Sequence, residues 1–235
     1  MKILPERKNS LLAFQKSVGV SFKDISLLDL AFHHRSFSNE NSEAKHLNNE
    51  RLEFLGDSVL GLVTADFLYN DMKENQEGDL AKIKAAAVSE KALSPVALKL
   101  KIDTLLVLGK GEEKSGGRKK PAILADCMEA VIGAIYLDSG YEAAKKYVLS
   151  FIIPEVRMLQ ETGGKDYKSL LQEYYQKKTK SCPVYETVSI TGPDHERVFE
   201  VQVHLGNKVF GPEKAGSKKE AEQLAAKKAL FSIMK

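Results

Sequence analysis

The sequence has few of the features that mark secreted, zinc-binding or membrane-spanning proteins. Its 235 residues include two cysteines and no tryptophan. Cys127 and Cys182 are far apart and form no CxxC pair, which argues against a disulfide scaffold and against a zinc site. No apolar run is long enough to cross a bilayer, and the charged start MKILPERKNS lacks the apolar stretch of a secretory signal. We therefore expect a cytoplasmic protein that does not enter a membrane.

The sequence also lacks a large excess of charge of either sign. Its 35 basic and 32 acidic residues leave a net charge of +3, and 43% of its residues are hydrophobic, as in ordinary globular proteins. Residues 1–160 carry 22 basic and 22 acidic residues, whereas residues 161–235 carry the remaining 13 and 10. A basic surplus confined to one end indicates a polyanionic partner for that end, although solvated lysine faces produce the same count.

The hydrophobic pattern predicts an all-α domain over residues 1–160, because apolar residues recur there at three- and four-residue spacing. Within it, the segment 109–120 (GKGEEKSGGRKK) is rich in glycine and charge and predicts an exposed, mobile loop. The helical pattern stops near Glu161-Thr162-Gly163-Gly164, a short polar stretch. We therefore predict a linker at 161–165.

Residues 166–235 predict a second domain with the order helix, three strands, helix. The first helix covers Tyr167–Lys177, and alternating apolar residues then predict strands. These strands lie at 184–191, 198–205 and 208–210. Ser217, with Glu220 three residues later, forms a capping box that opens the last helix. The predicted fold is thus multi-domain, with an all-α domain followed by an α-β-β-β-α domain.

Two predicted helices carry carboxylates among apolar residues. Glu50, Glu53 and Asp57 fall within about 60° of arc on one helix face. Asp126 and Glu129 are three residues apart in a segment that is otherwise almost wholly apolar. Carboxylates in such surroundings are costly to bury unless a positive group meets them.

An oxygen-only donor set of this kind suits Mg²⁺ or Mn²⁺. Such a cation can activate water and neutralise charge on a phosphodiester. The alternative is that these acids pair with lysine or arginine, or lie on solvated faces. Because two separate helices share the pattern, we favour the metal.

The segment Asn49-Glu-Arg-Leu-Glu-Phe-Leu-Gly-Asp57-Ser58 resembles the signature of the ribonuclease III family. Further matches follow in the family's order: His34-Arg35-Ser36, Glu77-Gly78-Asp79, Lys114-Ser115-Gly116-Gly117, and Leu124-Ala125-Asp126 through Glu129-Ala130. The resemblance covers essentially the whole chain. It implies an endonuclease that hydrolyses double-stranded RNA, processing ribosomal RNA precursors and other structured transcripts, including messenger and transfer RNA.

The resemblance implies that four carboxylates bind Mg²⁺, for which Mn²⁺ can substitute. They are Glu53, Asp57, Asp126 and Glu129. Asp57 and Glu129 would be the catalytic residues whose loss is most damaging, and the four can be drawn around one ion or two. Glu50 and Glu77 would lie in the same acidic region, unless they are ordinary surface acids.

The implied reaction is in-line attack of metal-activated water on a phosphodiester, leaving 5′-phosphate and 3′-hydroxyl ends with short 3′ overhangs. The resemblance also implies a homodimer, since a two-fold axis presents two cleavage centres to the two antiparallel strands of a duplex. Phe54 resembles the family's dimer-contact aromatic, although a core phenylalanine fits the sequence equally well.

The second domain resembles a double-stranded RNA-binding domain, which reads the shape of the duplex. The residues that this implies for RNA binding are Gln172, Gln176, His195, Ser217, Lys218 and Lys219. The two lysines open the last helix, where free amides and positive charge favour phosphates. The two glutamines, four residues apart, would face a minor groove. His195 matches the family's groove-binding loop, although Gln176 and His195 also fit plain surface positions.

Two other functions fit parts of the sequence. A double-stranded RNA-binding protein could grip RNA without cutting it, but all four candidate metal ligands are present. A helical scaffold with acidic stripes would not explain the appended RNA-binding module. We therefore favour the nuclease.

Overall fold

A computed structural model of the chain describes residues 3–41, 46–162, 167–193 and 197–234. The chain divides into two compact units, Met1–Val156 and Arg157–Lys235. The boundary at 160 and the linker at 161–165 remain predictions. The helix that begins at Tyr141 continues to Thr162, and residues 163–166 lie outside the described residues.

Helices dominate the chain up to Thr162, as the spacing of apolar residues predicted. In chain order they are α1 (Pro5–Val18), α2 (Ile25–Ala31), α3 (Arg35–Glu40), α4 (Glu50–Asp71), α5 (Glu77–Ala87), α6 (Glu90–Lys99), α7 (Ile102–Leu105), α8 (Lys110–Lys114), α9 (Pro121–Ser139) and α10 (Tyr141–Thr162). A 3₁₀ helix covers Gly117–Lys119. No helix in the described ranges combines the length and the apolarity needed to span a bilayer.

Helix α9 is the central element of the first unit. Eleven of its residues are buried, and it packs against α2, α4 and α6. Pro121 occupies its first turn, where a missing backbone N–H costs nothing. A helix that is apolar on nearly all sides is stable only when other helices surround it. Any polar residue on α9 therefore lies close to the core.

Two glycines let α4 and α9 touch along their backbones. A Cβ on Gly56 would overlap the carbonyl oxygen of Glu129, and a Cβ on Gly133 would overlap that of Leu52. No other residue type fits at either position without moving a helix. Because Gly56 immediately precedes Asp57, this crossing brings the turn of α4 that carries Asp57 against the turn of α9 that carries Glu129.

The segment 109–120, predicted to be a mobile loop, is a folded element. The first two backbone amides of α8 donate hydrogen bonds to the carboxylate of Glu40 at 2.6 and 2.9 Å. The guanidinium of Arg118 donates to the carbonyl oxygens of Asp103 and Leu106 at 2.8 and 2.9 Å. Most residues of the segment are exposed, as expected. The prediction of a loop was wrong because its composition does not reveal partners that are distant in the sequence.

The second unit confirms the order helix, three strands, helix. Its elements are α11 (Tyr167–Thr179), β1 (Val184–Thr191), β2 (Val198–Leu205), β3 (Lys208–Ala215) and α12 (Lys218–Ile233). The strands form an antiparallel sheet in the order β1-β2-β3. Val201, Val203 and Leu205 are buried, as the alternation in β2 predicted. Strand β3 extends five residues beyond the predicted end at Phe210.

Both helices of the second unit contribute to one core. Leu171 of α11 and Val203 of β2 are fully buried in it, together with Ala225 and Ala229 of α12. The small alanine side chains bring α12 close to the sheet and leave its N-terminal turn at the surface. The fold thereby presents the start of α12 to solvent.

Candidate active site

The start of α4 is held by the residue that precedes it. The side-chain amide of Asn49 donates to the carbonyl oxygen of Ala31 at 3.0 Å, and its backbone amide donates to that of His33 at 2.8 Å. Asn49 is buried, so these bonds anchor α4 to the end of α2. The acidic face of α4 is therefore fixed at both the Asn49 anchor and the Gly56 crossing.

The acids of α4, Glu50, Glu53 and Asp57, are here called the carboxylate stripe. Glu50 and Asp57 are exposed, whereas Glu53 is half-buried. On α9, Asp126 and Glu129 are half-buried among residues that are fully buried. The sequence thus predicted correctly that acids on both helices border the apolar core.

The pKa values show that these acids are close enough to repel one another. Burial and the negative charges of Asp57, Asp126, Glu53 and Glu90, in that order, raise the pKa of Glu129 to about 8. Burial and the charges of the neighbouring acids also raise the pKa of Glu53 above its ordinary value. For Asp126 the cause is again burial, followed by the charge of Glu90. Negative charge is therefore concentrated between α4 and α9.

Four of these acids, the candidate metal-ligand set Glu53, Asp57, Asp126 and Glu129, form no ion pair within the described part of the chain. Glu50 differs, because its carboxylate lies 3.4 Å from the guanidinium of Arg35. Neutralisation by lysine or arginine thus accounts for Glu50 and not for the other four. Their deficit of positive charge, with oxygen as the only donor atom, fits a hard divalent cation.

The carboxylate side chains do not converge on one point, although their charges act on one another. Among the described residues, no three histidine, cysteine or carboxylate side chains stand close enough to share one ion. The fit to a divalent cation therefore rests on the donor chemistry and the charge of the four residues rather than on their coordination geometry.

Two acids of neighbouring helices, Glu77 and Glu90, lie at the starts of α5 and α6. Glu77, the first residue of α5, is exposed, and its charge is not among the main causes of the raised pKa values. Glu90, the first residue of α6, was not selected from the sequence, yet its charge acts on both Asp126 and Glu129. In the sequence Glu90 looks like any acid after an N-cap serine. Only the packing of α6 against α9 reveals it.

Phe54 projects from α4 with 78% of its surface exposed, so it is not a core phenylalanine. Leu62 and Tyr69 on the same helix are also exposed, by 58% and 75%. The three fall within about 80° of arc at 100° per residue. They form an apolar face on α4, beside the carboxylate stripe.

The candidate RNA-binding residues of the second unit lie at its surface, apart from one that cannot be placed. The hydroxyl of Ser217 accepts a hydrogen bond from the backbone amide of Glu220 at 3.2 Å, which confirms the predicted N-cap. Lys218 is exposed, and Lys219 is partly exposed beside it. His195 lies outside the described residues.

The two glutamines of α11 are both exposed. The amide of Gln176 contacts the sulfur of Cys182 at 3.1 Å. Gln172, one turn earlier, lies on the same side of α11.

Comparison with known proteins identifies both units. The ribonuclease-III-like family matches residues 24–156, and the double-stranded RNA binding motif matches residues 167–232. Ribonuclease 3 of Treponema denticola is 59% identical over 230 residues, covering 97% of this chain and 93% of that protein. Ribonuclease 3 of Treponema pallidum is 51% identical over 229 residues, covering 97% and 90%. This chain belongs to the ribonuclease III family.

A solved structure agrees with this assignment. The nuclease domain of ribonuclease III from Campylobacter jejuni is 42% identical, with a TM-score of 0.56, and the match covers 60% of this chain and 95% of that one. That structure concerns flexibility in a region involved in dimer formation of the nuclease domain. As a member of this family, the chain is a divalent-metal-dependent endoribonuclease that hydrolyses double-stranded RNA.

Proposed function

We propose that this member of the ribonuclease III family holds Mg²⁺ between α4 and α9 and that Mn²⁺ can replace it. The ligands would be Glu53, Asp57, Asp126 and Glu129. The observation that carries this proposal is that these four acids lie at the crossing of α4 and α9, where their charges repel one another, and form no ion pair within the described part of the chain. A divalent cation relieves that repulsion, and binding it releases any proton that the Glu129 carboxyl holds.

Asp57 and Glu129 are the residues on which catalysis would depend most. They approach from different helices, and the Gly56 crossing fixes their backbones against each other. When bound, the cation lowers the pKa of a water molecule and offsets negative charge at the phosphodiester. The protein's own part is to hold these carboxylates in place on two rigid helices. The products would carry 5′-phosphate and 3′-hydroxyl ends with short 3′ overhangs.

Glu50 and Glu77 would assist from the edge of this site. Glu50 is exposed and weakly paired with Arg35, which suits a group that faces the substrate. Glu77 is exposed at the start of α5. Neither is proposed as a metal ligand.

The apolar face of α4 supports a homodimer. Phe54, Leu62 and Tyr69 expose most of their surface to solvent, which is costly unless another surface covers them. The Campylobacter jejuni nuclease domain is described in terms of dimer formation. A second copy related by a two-fold axis would cover this face and supply a second cleavage centre for the opposite RNA strand.

The second unit would grip the RNA duplex by its shape. Ser217 caps α12, so that the following amides, together with Lys218 and Lys219, attract phosphates. Gln172 and Gln176 would reach one minor groove, and His195 a neighbouring one. Domains of this kind span about 16 base pairs without reading sequence.

The substrates would be ribosomal RNA precursors and other structured transcripts, including messenger and transfer RNA, and the compartment would be the cytoplasm. A free, exposed thiol at Cys182 is consistent with a reducing compartment.

The test uses a long RNA duplex incubated with the full chain, with and without Mg²⁺. We expect the wild type to shorten the duplex only when the metal is present. Glu129→Gln should fail to cut, yet still retard the duplex on a gel through the second unit. A wild type that leaves the duplex intact with both Mg²⁺ and Mn²⁺ would overturn the proposal.

A further inference from the structure

A positively charged side chain lies at each end of the carboxylate stripe of α4. The proposed metal chemistry gives neither of them a role. Arg35 is the first residue of α3, and its guanidinium lies 3.4 Å from the Glu50 carboxylate. The Arg35 side chain is 65% exposed. A single long contact between exposed side chains contributes little stability, so structural pairing does not explain why Arg35 is there.

The charge of Arg35 also acts on the candidate metal-ligand set. It opposes the rise in the pKa of Glu53 and of Asp126, on two different helices. The guanidinium therefore lies beside the acidic region, at the end of the stripe that begins with Glu50. It remains accessible to an anion, since most of its surface is in solvent.

Lys84 of α5 marks the opposite end of the stripe. Its Nζ lies 3.6 Å from the position that a Cβ on Gly61 would occupy. Gly61 follows Glu50 by eleven residues, which at 100° per residue returns it to within about 20° of the same face of α4. It also lies one turn beyond Asp57. The Lys84 ammonium thus lies in line with the carboxylate stripe, one turn beyond Asp57.

Lys84 is half-buried and forms no hydrogen bond or ion pair with any residue that the structure describes. An ammonium without a protein partner is available to an anion supplied by a ligand. Gly61 lowers the stability of α4, since a glycine inside a helix makes it about 1 kcal/mol less stable than an alanine would. Its missing side chain leaves the face of α4 open where the Lys84 ammonium lies.

An RNA strand that approaches the carboxylate stripe meets repulsion between its phosphates and the acids. Positive groups at both ends of the stripe offset this repulsion and define where the strand lies. Glu50 and Gly61 are separated by about 16 Å along α4, at 1.5 Å per residue. Successive phosphates along one strand of an A-form RNA duplex lie much closer together than this, so the two cations reach different phosphates.

We propose that Arg35 and Lys84 bind backbone phosphates of the RNA on either side of the carboxylate stripe and thereby place the phosphodiester to be cut between α4 and α9. This role deepens the proposed function and rests on it. The guanidinium suits bidentate contact with a phosphate, and the ammonium acts as a point charge. Neither residue is a metal ligand or a proton donor in this scheme.

The experiment compares Arg35→Ala, Lys84→Ala and the double variant with the wild type, all as full chains with saturating Mg²⁺. Lys82→Ala is the matched control, because Lys82 is an exposed lysine two residues away on the same helix. KM and kcat on an RNA duplex are measured between about 50 and 200 mM salt. Arg35→Lys keeps the positive charge, and Lys84→Met keeps the aliphatic packing without the charge. Together they separate the effect of charge from that of packing.

We expect each alanine variant to raise KM about tenfold, to lower kcat less, and to reduce the slope of log KM against log salt by about one. The double variant should raise KM about a hundredfold. Arg35→Lys should recover part of the loss, whereas Lys84→Met should behave like Lys84→Ala with an unchanged Tm. Lys82→Ala should match the wild type.

Equal KM and equal salt slopes in Lys84→Ala, Arg35→Ala and Lys82→Ala would overturn this inference while leaving the proposed function intact. A fall in activity that tracks a fall in Tm, with the salt slope unchanged, would also overturn it, because that pattern indicates a structural role. A wild type that does not cut would overturn the proposed function and, with it, this inference.

Discussion

The two units of the chain carry their functional charges in different ways. In the first unit Glu53, Asp126 and Glu129 lie half-buried between α4 and α9, and burial raises the pKa of all three. In the second unit the cations Lys218 and Lys219 stand at the start of a helix whose N-cap is Ser217. The acids of the first unit repel one another, and a bound cation would relieve this repulsion. The lysines of the second unit would attract a polyanion directly.

This difference follows from the range of the interactions that build each site. Ser217 and Glu220 are three residues apart, so the cap forms wherever that helix forms. Asp57 and Glu129 are 72 residues apart and meet only because Gly56 allows the helices to touch. The proposed metal site needs the complete tertiary fold, while the proposed phosphate-binding helix start needs little more than local sequence.

The largest expected effects come from removing the charged residues of each unit in turn. Asp57→Asn should lower kcat by about a thousandfold, roughly 4 kcal/mol in activation free energy, with duplex affinity nearly unchanged. Lys218→Ala combined with Lys219→Ala should weaken duplex binding about tenfold and reduce its salt dependence, with kcat nearly unchanged. Steady-state kinetics and gel retardation measure both. Equal losses of kcat and affinity in both variants would show that the two roles are not separate.

The next largest effect tests the helix crossing. Gly56→Ala places a Cβ against the carbonyl oxygen of Glu129, so α4 and α9 must separate. We expect a loss of about 3 kcal/mol in the free energy of unfolding, measured with urea, and a loss of cleavage. Gly78→Ala is the control, because a Cβ there meets nothing within 4 Å. Equal stability of the two variants would contradict the tight crossing.

A smaller effect concerns pH. The folded-state pKa of Glu129, about 8, lies above the ordinary value of 4.5. Its contribution to stability is therefore complete below about pH 4.5 and is lost as the pH rises through about 8. The metal-free protein should lose several degrees of Tm between pH 6 and pH 9, and Glu129→Gln should flatten that profile. Mg²⁺ should raise the wild-type Tm more at pH 9 than at pH 6.

Thermal unfolding of metal-free protein across this pH range checks the prediction. Glu142→Gln, which alters an exposed acid at the start of α10, serves as the control and should keep the wild-type slope. A Glu129→Gln profile that parallels the wild type would show that Glu129 does not titrate in this range.

The smallest effect concerns the cap of α12. Ser217→Ala removes the hydroxyl that accepts from the Glu220 amide, at a cost of about 1 kcal/mol. Ser217→Asp should retain the cap and the stability. Urea unfolding measures the change. If both variants lose stability equally, the hydroxyl bond contributes nothing.

Much of this protein was predictable from local patterns. Apolar spacing predicted the helices, and alternation predicted that Val201, Val203 and Leu205 face the core of the second unit. The same patterns failed over 109–120, where Glu40 and Arg118 hold a folded segment through hydrogen bonds across the chain. Glu90 was missed for the same reason, since its electrostatic partners lie on another helix.

The sequence by itself determined the element types, the family and the acids that border the core, because periodicity and motif spacing are local properties of a chain. Only the tertiary structure decided which charged residues lie close enough to interact. The Gly56 crossing, the action of Glu90 on α9 and the approach of Lys84 to Gly61 all join segments that are distant in sequence. Electrostatic coupling depends on distance in space, and packing sets that distance.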